Sequence, residues 1–153
     1  MKTKPILLTL ALCVVATLSF ASNPNMGTWK LNEAKSTIPA GTPKNTTVVY
    51  AAAGGKVKVT VDGVDGEGKP THNEWTGMFD GKDYPLTGDS MADTRSYKKI
   101  DDRTTELTNK KGGKVTATGK IVISADGKSR TVTVSGTDPM GMKVTSSAVY
   151  DKQ

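Results

Sequence analysis

From Thr46 to the end, this chain alternates apolar with polar residues at a period of two, and glycine or aspartate turns break the pattern at short, regular intervals. Lys56 to Val64 is the clearest run, with Val57, Val59 and Val61 on one face and Lys58, Thr60 and Asp62 on the other. That period is the signature of a half-buried strand and not of a helix. Turn residues follow in order: Gly54-Gly55, Asp65-Gly66-Glu67-Gly68, Asp80-Gly81, Asp101-Asp102-Arg103, Lys111-Gly112-Gly113, Asp126-Gly127 and Met140-Gly141. Glycine takes positive φ without steric cost, and aspartate caps its own turn, so each cluster closes a hairpin. The recurring Gly-Lys pairs after these turns are repeated turn chemistry, because the strands between them differ in sequence. The pattern predicts an all-β fold of about ten strands. Because every connection after Thr46 is short, it predicts a single antiparallel up-and-down barrel of about 8–10 strands, whereas a Greek key needs a long crossover.

The segment before the barrel reads differently. Lys2 and Lys4 precede an apolar run from Ile6 to Leu18, which ends in Ser19-Phe20-Ala21. A basic start, an apolar centre and a small-x-small end make a secretory signal peptide over residues 1–21, cut after Ala21 and too short to span a membrane. Leu10-Ala11-Leu12-Cys13 offers a cysteine for lipidation, but the bulky Leu12 before it and the apolar sequence beyond it favour plain secretion. Processing would leave residues 22–153 as one domain with no cysteine, so an oxidising compartment would supply no disulfide. The 21 basic residues fall to 19 against 15 acidic ones, a net charge of +4. The lysines are spread beside turns, without the clustered basic face and interleaved aromatics of a nucleic-acid surface. The reading is therefore an exported protein, periplasmic or secreted, with no nucleic-acid partner and no transmembrane segment after cleavage.

The mature part opens on Gly27-Thr28-Trp29-Lys30-Leu31. A polar linker is expected from Asn32 to Asn45, in which Lys30 to Ser36 could form one helical turn before Pro39 and Pro43 stop it. The G-x-W opening, together with a last strand ending Val149-Tyr150-Asp151-Lys152, resembles the calycin superfamily of lipocalins and fatty-acid-binding proteins. It resembles in particular small exported bacterial lipocalin-like proteins. The resemblance implies a ten-strand barrel holding a small ligand. The chain departs from it twice. The linker is too short for a helix-turn-helix lid, and Ala148-Val149-Tyr150 stands where fatty-acid-binding proteins carry Arg-x-Tyr, so their carboxylate anchor is missing.

The alternation places Val57, Val59, Val61, Asn73, Trp75, Gly77, Phe79, Val115, Ala117, Ile121, Ile123, Val132, Val134, Met142, Val144 and Tyr150 on one apolar face of small and medium residues. Such a lining either draws the walls together or leaves room for a ligand. Trp29 is expected as a structural plug at one end. Trp75 and Phe79 share a strand face, lining a pocket or completing the core. Asp93, Arg95 and Tyr97 alternate on one face. Inward, Arg95 would hold an anionic or polar group, since an interior guanidinium needs a partner; outward, the three are a solvated face. The ligand-binding candidates are Trp75, Phe79, Arg95, Tyr97 and Tyr150.

Chemistry beyond binding finds no carrier in the sequence. His72 is the single histidine and sits in a polar stretch, an ordinary surface position and not a haem ligand. Asp62, Asp65 and Glu67 lack the spacing of a calcium loop, and Gly66-Glu67-Gly68-Lys69 lacks that of a phosphate loop. With no nucleophile elbow and no paired carboxylates outside turns, no catalytic residue, metal site or cofactor is expected. The function read from the sequence is an exported barrel that is not an enzyme and binds a small hydrophobic or amphipathic molecule. The alternative is a protein-interaction module, such as an exported inhibitor or an envelope-associated barrel, whose core is filled by its own side chains.

Overall fold

The computed structural model describes residues 23–138 and 140–153. The predicted signal peptide, its cleavage site and Cys13 lie outside the described residues. Ten strands follow one another: β1 (Gly27–Thr37), β2 (Lys44–Ala53), β3 (Lys56–Val64), β4 (Pro70–Gly77), β5 (Tyr84–Thr87), β6 (Thr94–Lys99), β7 (Thr104–Lys111), β8 (Lys114–Ile123), β9 (Ser129–Thr137) and β10 (Lys143–Lys152). Each pairs antiparallel with its sequence neighbour, and β1 pairs with β10, so the sheet closes into a single barrel. Closure removes the free edges that an open sheet of this length would present.

The hairpin turns sit where the sequence puts them. Gly54 and Gly55, and likewise Gly112 and Gly113, all take positive φ, the left-handed conformation a tight two-residue hairpin demands. The first connection differs from expectation. No helical turn forms over Lys30 to Ser36; β1 instead continues to Thr37, and only residues 38–43 remain as a loop. The physical reason is β10. Its ladder pairs with β1 from Trp29 to Asn32, skips, and resumes at Thr37. Ser36 Oγ fills the skip, donating to Asn32 O at 2.7 Å and accepting from Val149 N–H at 2.9 Å. Tertiary pairing thus overrides a weak local helix preference.

Because strand direction alternates, the hairpins fall at two ends of the barrel. One end gathers residues 23–26 and the β2–β3, β4–β5, β6–β7 and β8–β9 turns; the other gathers the remaining five connections. The core lies toward the first end, where Trp29, Tyr50, Val59, Trp75, Tyr97, Ile121, Ile123 and Tyr150 are buried. Toward the second end the inward positions are small: Ala117, Gly119, Val134, Gly136, Val144 and Ser146 are only half-buried, although the register turns them into the lumen. Val115 and Met142, expected on the inward face, are exposed at this rim, as are Met91 and Met140. A bulge pairs Ala117 with Asn109 but Val115 with Lys110, so the extra residue Thr116 resets the alternation and turns Val115 outward, while Met142 precedes the first residue of β10.

Candidate functional site

The sealed end is built around Trp29, which is 0% exposed. Its indole N–H donates to Asn25 O at 2.7 Å, and Asn25 in turn donates through its side-chain amide to Thr105 Oγ1 at 3.3 Å. The segment before β1 is thereby folded across the barrel mouth. Arg130 lies inside this layer at 2% exposure, with its guanidinium 4.7 Å from the Trp29 ring, 5.0 Å from that of Tyr50 and 5.1 Å from that of Tyr150. Three ring faces offset part of the desolvation of a buried cation. Its Nε and Nη1 nonetheless have no hydrogen-bond partner, and no carboxylate among the described residues forms a salt bridge with it. The sequence reading missed Arg130. Its phase with Val132 and Val134 on one strand was the available signal.

Beside that layer the structure joins three of the predicted candidates. Trp75 meets Tyr97 edge to face at 4.7 Å and Phe79 at 6.1 Å, while Phe79 stacks on Tyr97 at 5.0 Å. Tyr50 at 6.3 Å from Tyr97, and Tyr84 at 5.7 Å from Trp75, complete the cluster. Neither was among the candidates. Edge-to-face pairs of this kind add roughly 0.5–1.5 kcal/mol each beyond burial. The cluster closes the wall where it is thinnest, since β5 shares two residue pairs with β4 and two with β6. Burial, first of all, raises the Tyr97 phenol far above its ordinary value.

Arg95 and Tyr97 face the lumen, and Asp93 faces out, its carboxylate accepting from Gly112 N–H at 2.9 Å. The Arg95 backbone oxygen accepts from the Trp75 indole at 2.8 Å, which fixes strand β6 against the cluster. At 7% exposure the guanidinium donates from Nε to Asn109 Oδ1 at 2.7 Å and from Nη1 to the Tyr97 hydroxyl at 3.4 Å. Its nearest carboxylate is Asp89, 3.9 Å from Nη2. Asn73, 9% exposed on the same inward face, has an unpartnered Oδ1. These polar groups stand between the aromatic floor and the small residues of the open end.

Tyr150 is not part of this group. Its ring packs on Arg130 and its hydroxyl donates to Asn45 O at 3.0 Å. That bond bridges a seam, because β1 and β2 pair only over Gly27–Lys30 and Thr47–Tyr50. Burial pushes its phenol up to about 12.

His72 lies on the outer face. Its Nδ1 is 2.6 Å from Asp62 Oδ1 and its Nε2 3.5 Å from Glu74 Oε1, which also pairs with Lys58 at 2.8 Å. The hydrogen bond to Asp62 raises the imidazole pKa, and the Lys58 ammonium lowers that of Glu74. Among the described residues no group of three or more His, Cys, Asp or Glu side chains is arranged to hold a metal ion. No helix among them is long and apolar enough to cross a membrane. Two open depressions, of about 510 and 610 Å³, lie on the outside of β7, β8 and β9. The first is lined by Asp101, Asp102 and Arg103 with Thr104 and Thr131, the second by Thr118, Thr131 and Thr133 with Glu106 and Lys120.

No protein-family model matches the chain, and no curated protein matches it in sequence. Among solved structures it is similar to one described as "Structure of a redesigned beta barrel, mFAP1, bound to DFHBI", with 16% sequence identity and a TM-score of 0.43 over 84% of this chain and 95% of that one.

Proposed function

We propose that this protein is an exported, calycin-like barrel that acts by binding a small, partly apolar molecule in its lumen, without catalysis. The observation that carries the reading is the asymmetry of the interior. One end is sealed by Trp29, Arg130 and the aromatic cluster, while inward-facing Ala117, Val134, Val144 and Ser146 at the other end are partly open to solvent. A barrel that needed only a core would bury these positions with larger side chains, because interiors otherwise pack to crystal-like density. The polar residues Arg95 and Asn109 below an apolar wall are the few convergent groups that small-molecule sites use for orientation. Native mass spectrometry of the protein purified from its own host tests this. A co-purifying small molecule supports the reading; an empty barrel that also gives no tryptophan fluorescence response to apolar probes refutes it. The same purification tests export: the secreted or periplasmic form should begin at Ser22.

The second reading, a protein-interaction module, has one observation in its favour: the outer depressions over β7, β8 and β9. A pulldown from envelope extract should then recover a stoichiometric protein partner, and substitution of Lys120 should release it.

A further inference from the structure

We infer that the tips of the β7–β8 and β9–β10 hairpins, at the open end of the barrel, dock reversibly on the surface of an anionic lipid bilayer. Val115, Met140 and Met142 dip among the lipids, and Lys111, Lys114 and Lys143 lie against the head groups. The inference goes beyond the lumen reading, since it gives a partner to a surface outside the lumen. Three observations carry it.

First, Met140, Met142 and Val115 are the most exposed large apolar side chains among the described residues, at 85%, 63% and 58%. Single exposed apolar residues are ordinary, but a group gathered at one end marks an interaction surface. The three belong to neighbouring hairpins. β8 pairs with β9 only as far as Ala117 and Gly136; beyond that pair each hairpin continues alone, through Lys110–Val115 and Lys111–Lys114 on one and Thr137–Lys143 on the other. The tips therefore project side by side past their shared wall. Met91 is exposed in the loop before β6, which is tied to the first hairpin by Asp93 N–H donating to Lys110 O at 2.8 Å. Second, the β9–β10 turn is closed on itself. The Asp138 carboxylate accepts from the N–H groups of Met140 at 2.9 Å and Met142 at 2.8 Å, which leaves both side chains in solvent. Third, Lys111, Lys114 and Lys143 flank these residues, exposed and in no salt bridge among the described residues, whereas Lys110 pairs with Asp83. Against these three lysines stand the carboxylates of Asp93 and Asp138, so one positive charge is left in excess. Narrow protruding tips do not make the continuous face of roughly 800 Å² that a stable protein partner needs. Apolar side chains flanked by lysines are, by contrast, what holds a peripheral protein at a lipid boundary. Unbranched methionines adapt to that surface, and lysine stems reach along it to the head groups. Docked in this way, the barrel mouth faces the layer in which a partly apolar ligand dissolves.

Co-sedimentation with sucrose-loaded vesicles tests this on the protein purified from its own host, with no ligand added. One set of vesicles is phosphatidylcholine alone, the other an equal mixture of phosphatidylcholine and phosphatidylglycerol. One charge in excess near an anionic surface strengthens binding about fivefold, so the protein is expected to bind the mixed vesicles about fivefold more tightly. That preference should vanish at about 1 M salt, where screening is nearly complete. Met140→Ser combined with Met142→Ser should weaken binding to both kinds of vesicle about tenfold or more, since full burial of one methionine is worth about that. Lys111→Gln, Lys114→Gln and Lys143→Gln together should erase the preference for mixed vesicles. Val122→Thr and Ile100→Ser, exposed elsewhere on the barrel, should change neither result. Every substituted side chain is exposed, so the fold is retained in each variant. The inference is overturned if the unsubstituted protein sediments with neither vesicle, or if the methionine pair binds undiminished. It is overturned as well if the protein dimerises without lipid and the methionine pair abolishes the dimer, which would assign the tips to a second copy of the chain. A co-purifying ligand is decided by a separate measurement, so failure of docking leaves the lumen reading in place.

Discussion

Gly77→Ala places one methyl group at the most crowded point of the aromatic cluster. Gly77 sits near the end of β4 with φ outside the left-handed region, so alanine meets no backbone penalty there. The whole cost is steric. A Cβ at this position would stand 2.5 Å from Trp75 Cζ2, 2.5 Å from Tyr84 Cγ and 2.6 Å from Tyr84 Cδ2. Neither ring can step aside freely: Trp75 is tied to the Arg95 carbonyl at 2.8 Å, and the Tyr84 hydroxyl donates to Asp80 at 2.9 Å. Overpacking of this kind costs about 1–3 kcal/mol. For a domain of this size that is a fall in Tm of about 4–11 °C. Urea unfolding followed by tryptophan fluorescence measures the loss, and near-ultraviolet circular dichroism should weaken as Trp75 and Tyr84 leave their edge-to-face geometry. Gly54→Ala is the contrast. Its φ is +54° and nothing lies within 4 Å of the added carbon, so it should lose only the left-handed penalty of about 1–2 kcal/mol, with the aromatic signal intact. Tyr84→Ala should cost less in the Gly77→Ala background than alone, since it removes the Tyr84 half of the clash and leaves the Trp75 ring room to shift. A Gly77→Ala protein within about 0.5 kcal/mol of the parent, or a double substitution that is simply additive, would refute the steric argument.

Trp29→Phe keeps a ring over Arg130 but removes the indole donor to Asn25 O; a loss of about 1–3 kcal/mol is expected in chemical denaturation, and a neutral result would mean that water replaces the bond. Tyr97 and Tyr150 have folded pKa values raised above the ordinary phenol value, Tyr150 to about 12. Their contribution to stability is fully present below pH 10 and is lost as pH rises toward the folded values, so the unfolding midpoint should fall above pH 10 and Tyr150→Phe should blunt that fall. For His72 the raised pKa likewise stabilises the folded state at acidic pH and fades as pH climbs through the folded value. The imidazole titration followed by NMR should have its midpoint above 6.5 and move down in Asp62→Asn; no movement would show that the Asp62 contact is not formed in solution.

Much of the barrel was legible because a strand reports its faces locally. Val57, Val59 and Val61 alternate with Lys58, Thr60 and Asp62, and paired glycines sit at the turns, so strand number and connectivity follow from short-range sequence alone. The first loop was misjudged, since the residues that extend β1 to Thr37 are held by Val149 on the far end of the chain, a partner no local pattern announces. The candidate site was legible in part. Trp75, Phe79 and Tyr97 do meet, but as a packed cluster, and Tyr150 faces a different neighbour.

What the sequence determined by itself is which residues of an unbroken strand share a face, because side chains alternate with a period of two. Which face looks inward, as for Arg95 and Tyr97, and where a bulge resets the alternation, as before Ala117, came from the pairing. Only the tertiary structure decided depth. How far along the axis a residue lies depends on the stagger accumulated around all ten strands before β1 meets β10, and that is a property of the closed sheet. Depth is what sets Arg130 among three rings at the sealed end, leaves Arg95 and Asn73 above the floor, and keeps Ala117 and Ser146 within reach of solvent.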